Sequence, residues 1–148
     1  MSQTTDTDDT TTATLIQCTN TKRDEPAPAR DLYEPSGYFR DMRSWATARD
    51  GPWFILSGKH GLLDPDTVIG PYDARGLSEQ QAETAATALA VRGVKTVWVC
   101  AGRDYTGTLV PACEAAGIDV IDPFAGLRIG ERRQELQART EGLDDSSA

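Results

Sequence analysis

The chain has 148 residues, with 15 Lys and Arg against 23 Asp and Glu, for a net charge of −8. That length fits one domain with an ordinary core and excludes two of typical size. The acidity excludes a broad nucleic-acid-coating surface, which would be basic, and no window approaches the roughly 18 consecutive apolar residues of a membrane span.

Residues 1–12 are Thr, Asp, Ser and Gln with almost nothing apolar. Such a segment cannot bury enough surface to offset its ordering entropy, so a disordered acidic tail is expected. It has no basic start and no apolar block, unlike a secretory signal, and a cytoplasmic location is the default. Ala13 to Gln17 reads as a short strand. Ser36 is placed to cap a helix running to about Arg49, with Tyr38, Met42, Trp45 and Ala46 at helical spacing. Gly51-Pro52 is a turn. Trp53 to Leu56 is a continuous apolar strand, as expected where both faces are covered. Ser78 to Gln81 forms a capping box before an alanine-rich helix that ends at Gly93. Lys95 to Cys100 is the clearest strand, followed by a helix from about Tyr105 to Ala116 that Gly117 stops. Ile118 to Ile121 is a fourth strand, and a last helix runs from about Gly130 to Arg139. Residues 141–148 read as a second acidic tail. Strands separated by such helices predict an α/β fold over 13–140: a single-domain, Rossmann-like three-layer sandwich with a mostly parallel sheet of about four to five strands.

The tails carry six of the acids and no base, which leaves −2 over residues 13–140. A local anion site is therefore open to a protein that is acidic overall. Asp outnumbers Glu 15 to 8, and Arg outnumbers Lys 12 to 3. Acidic surface with little lysine fits a halophilic source, and a GC-rich genome would give the same bias. Three cysteines, with no secretory signal, argue against a disulfide framework. No CxxC pair is present and His60 is the one histidine, so no metal site is expected.

In an open parallel sheet, ligands bind outside the carboxyl ends of the strands. Those ends carry Cys18 to Lys22, Ser57 to Gly61, Cys100 to Tyr105, and Asp122 to Phe124. Two of the three lysines, the histidine and two of the three cysteines fall there. Lys22, Lys59 and Arg103 make this edge electropositive. Gly58, Gly61 and Gly102 would let backbone amides approach an anion. The expected partner is an anionic small molecule or a nucleic-acid end. Ser57-Gly-Lys-His lacks the upstream glycine and helix start of a Walker motif, and no cofactor is legible. Cys18 is a candidate nucleophile, with Lys22 and Lys59 as the cations that favour a thiolate; a small buried residue at a strand end is the alternative. Cys100 and Cys113 read as core. His60 is a candidate acid or base. Tyr33, Tyr72 and Tyr105 are candidates for hydrogen-bonding or stacking a ligand, or for packing on the sheet edge.

Cys18-Thr-Asn-Thr-Lys22, Leu32-Tyr33-Glu34-Pro35-Ser36 and Leu56-Ser57-Gly58-Lys59-His60-Gly61-Leu62-Leu63-Asp64-Pro65 through Pro71-Tyr72 resemble an uncharacterised family of small proteins from bacteria, archaea and their viruses. That resemblance covers most of residues 14–135. The middle run is also similar to the peroxide-stress YaaA family, which has a Leu-Ser-Gly-x-x-Gly-x-Leu-x-Pro run ending in Pro-Tyr. A fainter similarity is to the core domain of archaeosine synthases. Cys18 and Lys22 match their Cys-x3-Lys, and Tyr33 and Ser36 match their Tyr-x2-Ser. Gln17 stands where that motif has proline, and Phe39 where it has histidine. Archaeosine synthases attach lysine to the nitrile of a cyano-deazaguanine base in transfer RNA, and YaaA relatives are associated with DNA binding and oxidative protection. The resemblances imply a role close to nucleic-acid bases. Three functions compete: an enzyme acting on a nucleobase or nucleotide, a non-catalytic nucleotide or nucleic-acid sensor, and a structural or accessory protein, for instance of viral origin.

Overall fold

The computed structural model describes residues 11–19 and 22–147, with side chains through residue 142. Five strands form the main sheet: β1 (Thr12–Gln17), β3 (Trp53–Ser57), β4 (Gly61–Leu63), β6 (Thr96–Cys100) and β7 (Asp119–Ile121). Their order is β4-β3-β1-β6-β7. β1 pairs parallel to β3 from Thr14↔Trp53 to Gln17↔Leu56, and parallel to β6 from Thr12↔Thr96 to Ile16↔Cys100. β7 extends the parallel sheet, whereas β4 closes the other edge antiparallel to β3. The chain is thus a single-domain α/β fold with a mostly parallel sheet, as the alternation of strands and helices requires.

Helices α2 (Gly37–Ala48) and α5 (Ile129–Ser147) pack against each other, as do α3 (Glu79–Val91) and α4 (Arg103–Ala115). The sequence explains why α2 starts and what it buries. Ser36 accepts a hydrogen bond from the Phe39 amide at 3.2 Å, satisfying an orphan donor of the first turn. Tyr38, Phe39, Met42, Trp45 and Ala46 fall on one face and are buried. Trp45 meets Phe124 edge to face at 5.0 Å between ring centroids, a contact that joins α2 to the chain after β7. In α3 the capping box of Ser78 and Gln81 is complete, with reciprocal bonds of 3.1 and 2.9 Å. Its buried face is Ala82, Ala85, Ala86 and Leu89, so small side chains let that helix lie close.

The structure departs from the sequence expectation in four places. β4 follows β3 after only Gly58-Lys59-His60, a tight hairpin in which Gly61 takes φ +73°. A glycine in the left-handed region at the start of the return strand lets so short a loop close. A second, two-stranded sheet pairs β2 (Ala27–Pro28) with β5 (Val68–Ile69), and a single turn, α1 (Ala29–Leu32), follows β2. This clasp is reinforced by the Ala29 amide on the Thr67 carbonyl, the Arg30 amide on the Pro65 carbonyl, and the Arg30–Asp66 ion pair. The expected tail over 1–12 lies mostly outside the described residues, but Thr12 opens β1 and the Thr11 carbonyl accepts from the Lys95 amide. At the other end α5 runs to Ser147, well past Arg139. Polar composition there signals a lack of burial, and nothing before Ser147 forbids hydrogen-bonded turns, since Gly142 costs a helix only about 1 kcal/mol.

Candidate active site at the carboxyl end of the first strand

From β1 the chain crosses to β3 on one side and later returns past β1 to β6 on the other. The strand order therefore reverses at β1, and such a switch point is where open α/β sheets leave a crevice. Cys18 follows β1 directly and keeps the sheet register, its amide on the Leu56 carbonyl at 2.9 Å. Its side chain is 2% exposed, and its Sγ lies 3.0 Å from the Tyr105 hydroxyl. Tyr105 belongs to the first turns of α4, so the β6–α4 connection brings a phenol onto the end of β1.

Ser57 ends β3 and is fully buried. Its Oγ accepts from the amides of Lys59 and His60 at 3.2 and 3.0 Å, which shapes the hairpin. The same hydroxyl donates to the Tyr72 hydroxyl at 2.8 Å, and Tyr72 is 2.5 Å from the Tyr33 hydroxyl. Tyr33 follows α1, and Tyr72 lies three residues after β5. The β2–β5 clasp thus sets the distance between the two rings, which meet edge to face at 6.3 Å. Lys22 places its ammonium 4.6 Å from the Tyr72 ring centroid and 5.8 Å from that of Tyr33, in cation–π range. The ring of His60 stands edge-on to Tyr72 at 5.5 Å.

Burial dominates the electrostatics here. It pushes the phenols of Tyr33, Tyr72 and Tyr105 well above their ordinary range. For Tyr72 and Tyr105, hydrogen bonding to Cys18 pushes the same way. All three are neutral donors at physiological pH. Burial lowers the Lys22 ammonium, opposed by attraction to Cys18 and Asp73. His60 is lowered by burial and then by the Lys59 charge. The result is a thiol ringed by hydroxyl donors with one ammonium above them. Such donors stabilise negative charge on sulfur or on an oxygen or nitrogen bonded to the carbon that sulfur attacks.

The other predicted residues lie elsewhere or do structural work. Ser36 is the α2 cap. Gly58 does admit a close approach, but of protein: a Cβ there would lie 2.4 Å from the Ala74 carbonyl oxygen. The loop from Tyr72 to Leu77 packs over this glycine and over α4, with the Leu77 amide on the Asp104 carbonyl and Arg75 paired to Asp104 at 3.7 Å. Gly61 serves the hairpin. Lys59 is exposed at the hairpin tip, in a groove with Ser78, Gln81 and Arg92, so Lys22 is the lysine whose charge acts at Cys18. The Gly102 amide is taken by the Gln17 side-chain oxygen at 2.6 Å. Arg103 lines a separate cavity with Arg132. Among the described residues, no group of three or more His, Cys, Asp or Glu side chains is placed to hold a metal ion, and no helix is long and apolar enough to cross a membrane.

Sequence reasoning missed Gln17. It is 7% exposed, and it donates to the Cys18 carbonyl at 3.1 Å while accepting from Gly102. It ties the end of β1 to the start of α4, and so holds Cys18 against Tyr105. A polar residue closing an apolar strand was the available signal.

Fold and geometry together define an α/β protein with a candidate ligand site at a topological switch point. The chain belongs to DUF6884, a family of unknown function, whose profile matches residues 13–138. No curated protein and no solved structure matches it.

Proposed function

We propose that this protein is an enzyme acting on a nucleobase or nucleotide, with Cys18 as nucleophile. The observation that supports it is the convergence of Cys18, Tyr105, Tyr72, Tyr33, Ser57 and Lys22 at the carboxyl end of β1. In this reading the Cys18 thiolate adds to an electrophilic carbon carried by the base, and an amine or water displaces it, regenerating the thiol. Tyr105 and Tyr72 donate to the charged sulfur, Lys22 offsets the developing negative charge, and His60 moves protons at the rim. The tyrosine faces and the Lys22 cation suit a flat polar ring. The similarity to archaeosine synthases makes a nitrile-bearing deazaguanine the first substrate to try. Intact-mass measurement after incubation with a cyano-deazaguanine should show an adduct on the wild type and none on Cys18→Ala. No adduct, together with no binding of any nucleobase or nucleotide, overturns the reading.

One observation favours a second reading, a nucleotide-binding module without chemistry: Cys18 is 2% exposed, behind Tyr72 and Tyr105. Binding that Cys18→Ala leaves intact and Lys22→Ala weakens, with no adduct, selects this alternative.

A further inference from the structure

We propose that Arg132 and Arg103 form a phosphate-binding arm of the same site, so that the ligand is a nucleotide rather than a free base. This rests on the nucleobase or nucleotide reading above and names the anionic group of its ligand.

A cavity of about 350 Å³ opens at the carboxyl ends of β6 and β7. Its polar lining is Arg103, Thr106, Asp122 and Arg132. Arg132 comes from α5, where its neighbours are paired: Arg133 binds Asp41 at 2.6 Å, and Arg139 binds Glu135 at 2.7 Å. Arg132 has no ion pair among the described residues. Its Nε is shut off from solvent and has no hydrogen-bond partner, and its Nη1 reaches the Tyr38 hydroxyl only at 3.4 Å. A guanidinium nitrogen that is desolvated and unsatisfied is costly unless an anion completes it. Arg103 is exposed and likewise makes no ion pair among the described residues. Asp122 is the one carboxylate in the cavity, and burial holds its carboxyl above the ordinary range. Two guanidiniums against one carboxylate leave the cavity positive. The planar fork of arginine matches the oxygens of a phosphate.

The cavity lies across the first turn of α4 from the thiol site. Arg103 and Thr106, three residues apart, share the face toward the cavity. Tyr105, between them, turns to Cys18. Arg132 reaches that same turn, since a Cβ on Gly102 would lie 3.7 Å from its Nη1. A ligand touching both Cys18 and Arg132 must extend beyond a base, as a nucleoside monophosphate does.

The test is calorimetric titration of the full chain with the four common nucleosides, their 5′-monophosphates and inorganic phosphate, for the wild type, Arg103→Gln and Arg132→Gln. Arg103 is exposed, so its variant keeps the test valid if Arg132→Gln loses stability in urea. The expected result is a monophosphate bound at least about tenfold tighter than its nucleoside, with each variant removing most of that preference and leaving nucleoside affinity unchanged. Equal affinity for nucleoside and monophosphate, or a preference both variants leave intact, overturns the phosphate arm and leaves the nucleobase reading standing. Phosphate binding lost in both variants, with no nucleoside bound, supports the arm and overturns that reading. No binding of any of these probes overturns both.

Discussion

β1 and β6 lie side by side, and each reaches its carboxyl end at a cysteine facing a tyrosine. At β1, Cys18 meets Tyr105 at 3.0 Å, with Tyr72 and Lys22 beyond. At β6, Cys100 meets Tyr38 at 3.8 Å, with Arg132 behind that phenol. Cys100 is fully buried, and burial pushes its thiol up to about 12; the Tyr38 and Arg132 contributions only partly offset this. The same pairing of residues thus serves two ends. A thiol in a closed core is inert packing. The Cys18 thiol lies instead at the strand where the order reverses, 2% exposed, under hydroxyl donors and a lysine. The type of residue does not separate these roles, but its position relative to the switch point does.

Alkylation gives the largest expected contrast. A thiol with a pKa of about 12 is thiolate in roughly one molecule in ten thousand at pH 8. Iodoacetamide followed by peptide mass spectrometry should therefore label Cys100 and Cys113 more slowly than Cys18 in the folded protein. All three should react alike in denaturant. Equal rates in the folded state would erase the distinction.

Alkaline pH sharpens the core side of the comparison. Burial raises Cys100 to about 12 and Cys113 to about 11, from an ordinary value of 9.0. Raised folded values mean that the unfolded chain loses these protons first. Their stabilisation is complete below pH 9 and is lost as pH rises toward 11–12, by about 1.4 kcal/mol per thiol per pH unit. The raised phenols of Tyr33, Tyr38, Tyr72 and Tyr105 act in the same direction from about pH 10. Urea midpoints should fall steadily above pH 9, and less steeply in Cys100→Ala. A flat profile would contradict the buried-thiol account.

The smallest effects separate the two phenols. Tyr38→Phe and Tyr105→Phe should each cost about 0.5–1.5 kcal/mol of stability by urea denaturation. Only Tyr105→Phe of these two should also slow alkylation of Cys18, because its hydroxyl lies on that sulfur and the Tyr38 hydroxyl lies on Cys100. If Tyr38→Phe slowed it equally, the two strand ends would not be independent.

Much of the frame was legible because its signals are local and repeated. The apolar runs of β1, β3 and β6, the Ser36 cap and the Ser78 box all stand in the sequence where the structure uses them. The clasp was not legible, since strands as short as Ala27–Pro28 and Val68–Ile69 carry no periodicity. β4 hid for a related reason: Gly58-Lys59-His60-Gly61 is at once a strand end and a hairpin loop. Within the site, Cys18, Lys22, Ser57 and Tyr105 fall under the strand-end rule, whereas Tyr33 and Tyr72 are legible only as loop tyrosines and through the motif resemblance. That rule does not see which gaps the chain itself fills, as Ala74 fills the one at Gly58. Nor does it reach α5, where Arg132, with no ion pair among the described residues, and Arg133, paired to Asp41, are adjacent identical letters. Only three-dimensional pairing distinguishes them.

The β2–β5 clasp has a consequence for motion. It joins two excursions from the sheet, one carrying Tyr33 and the other Tyr72, through two-residue strands, a few backbone bonds and an exposed ion pair. Its apolar burial is limited to Ala27 and Ile69, with Val68 64% exposed. Units with so few buried contacts open at a fraction of the global unfolding free energy. Amide exchange at Ala29 and Arg30 should therefore run ahead of exchange at Ile16 and Val99, and each such opening would part the Tyr33–Tyr72 pair while the sheet beneath Cys18 stays whole.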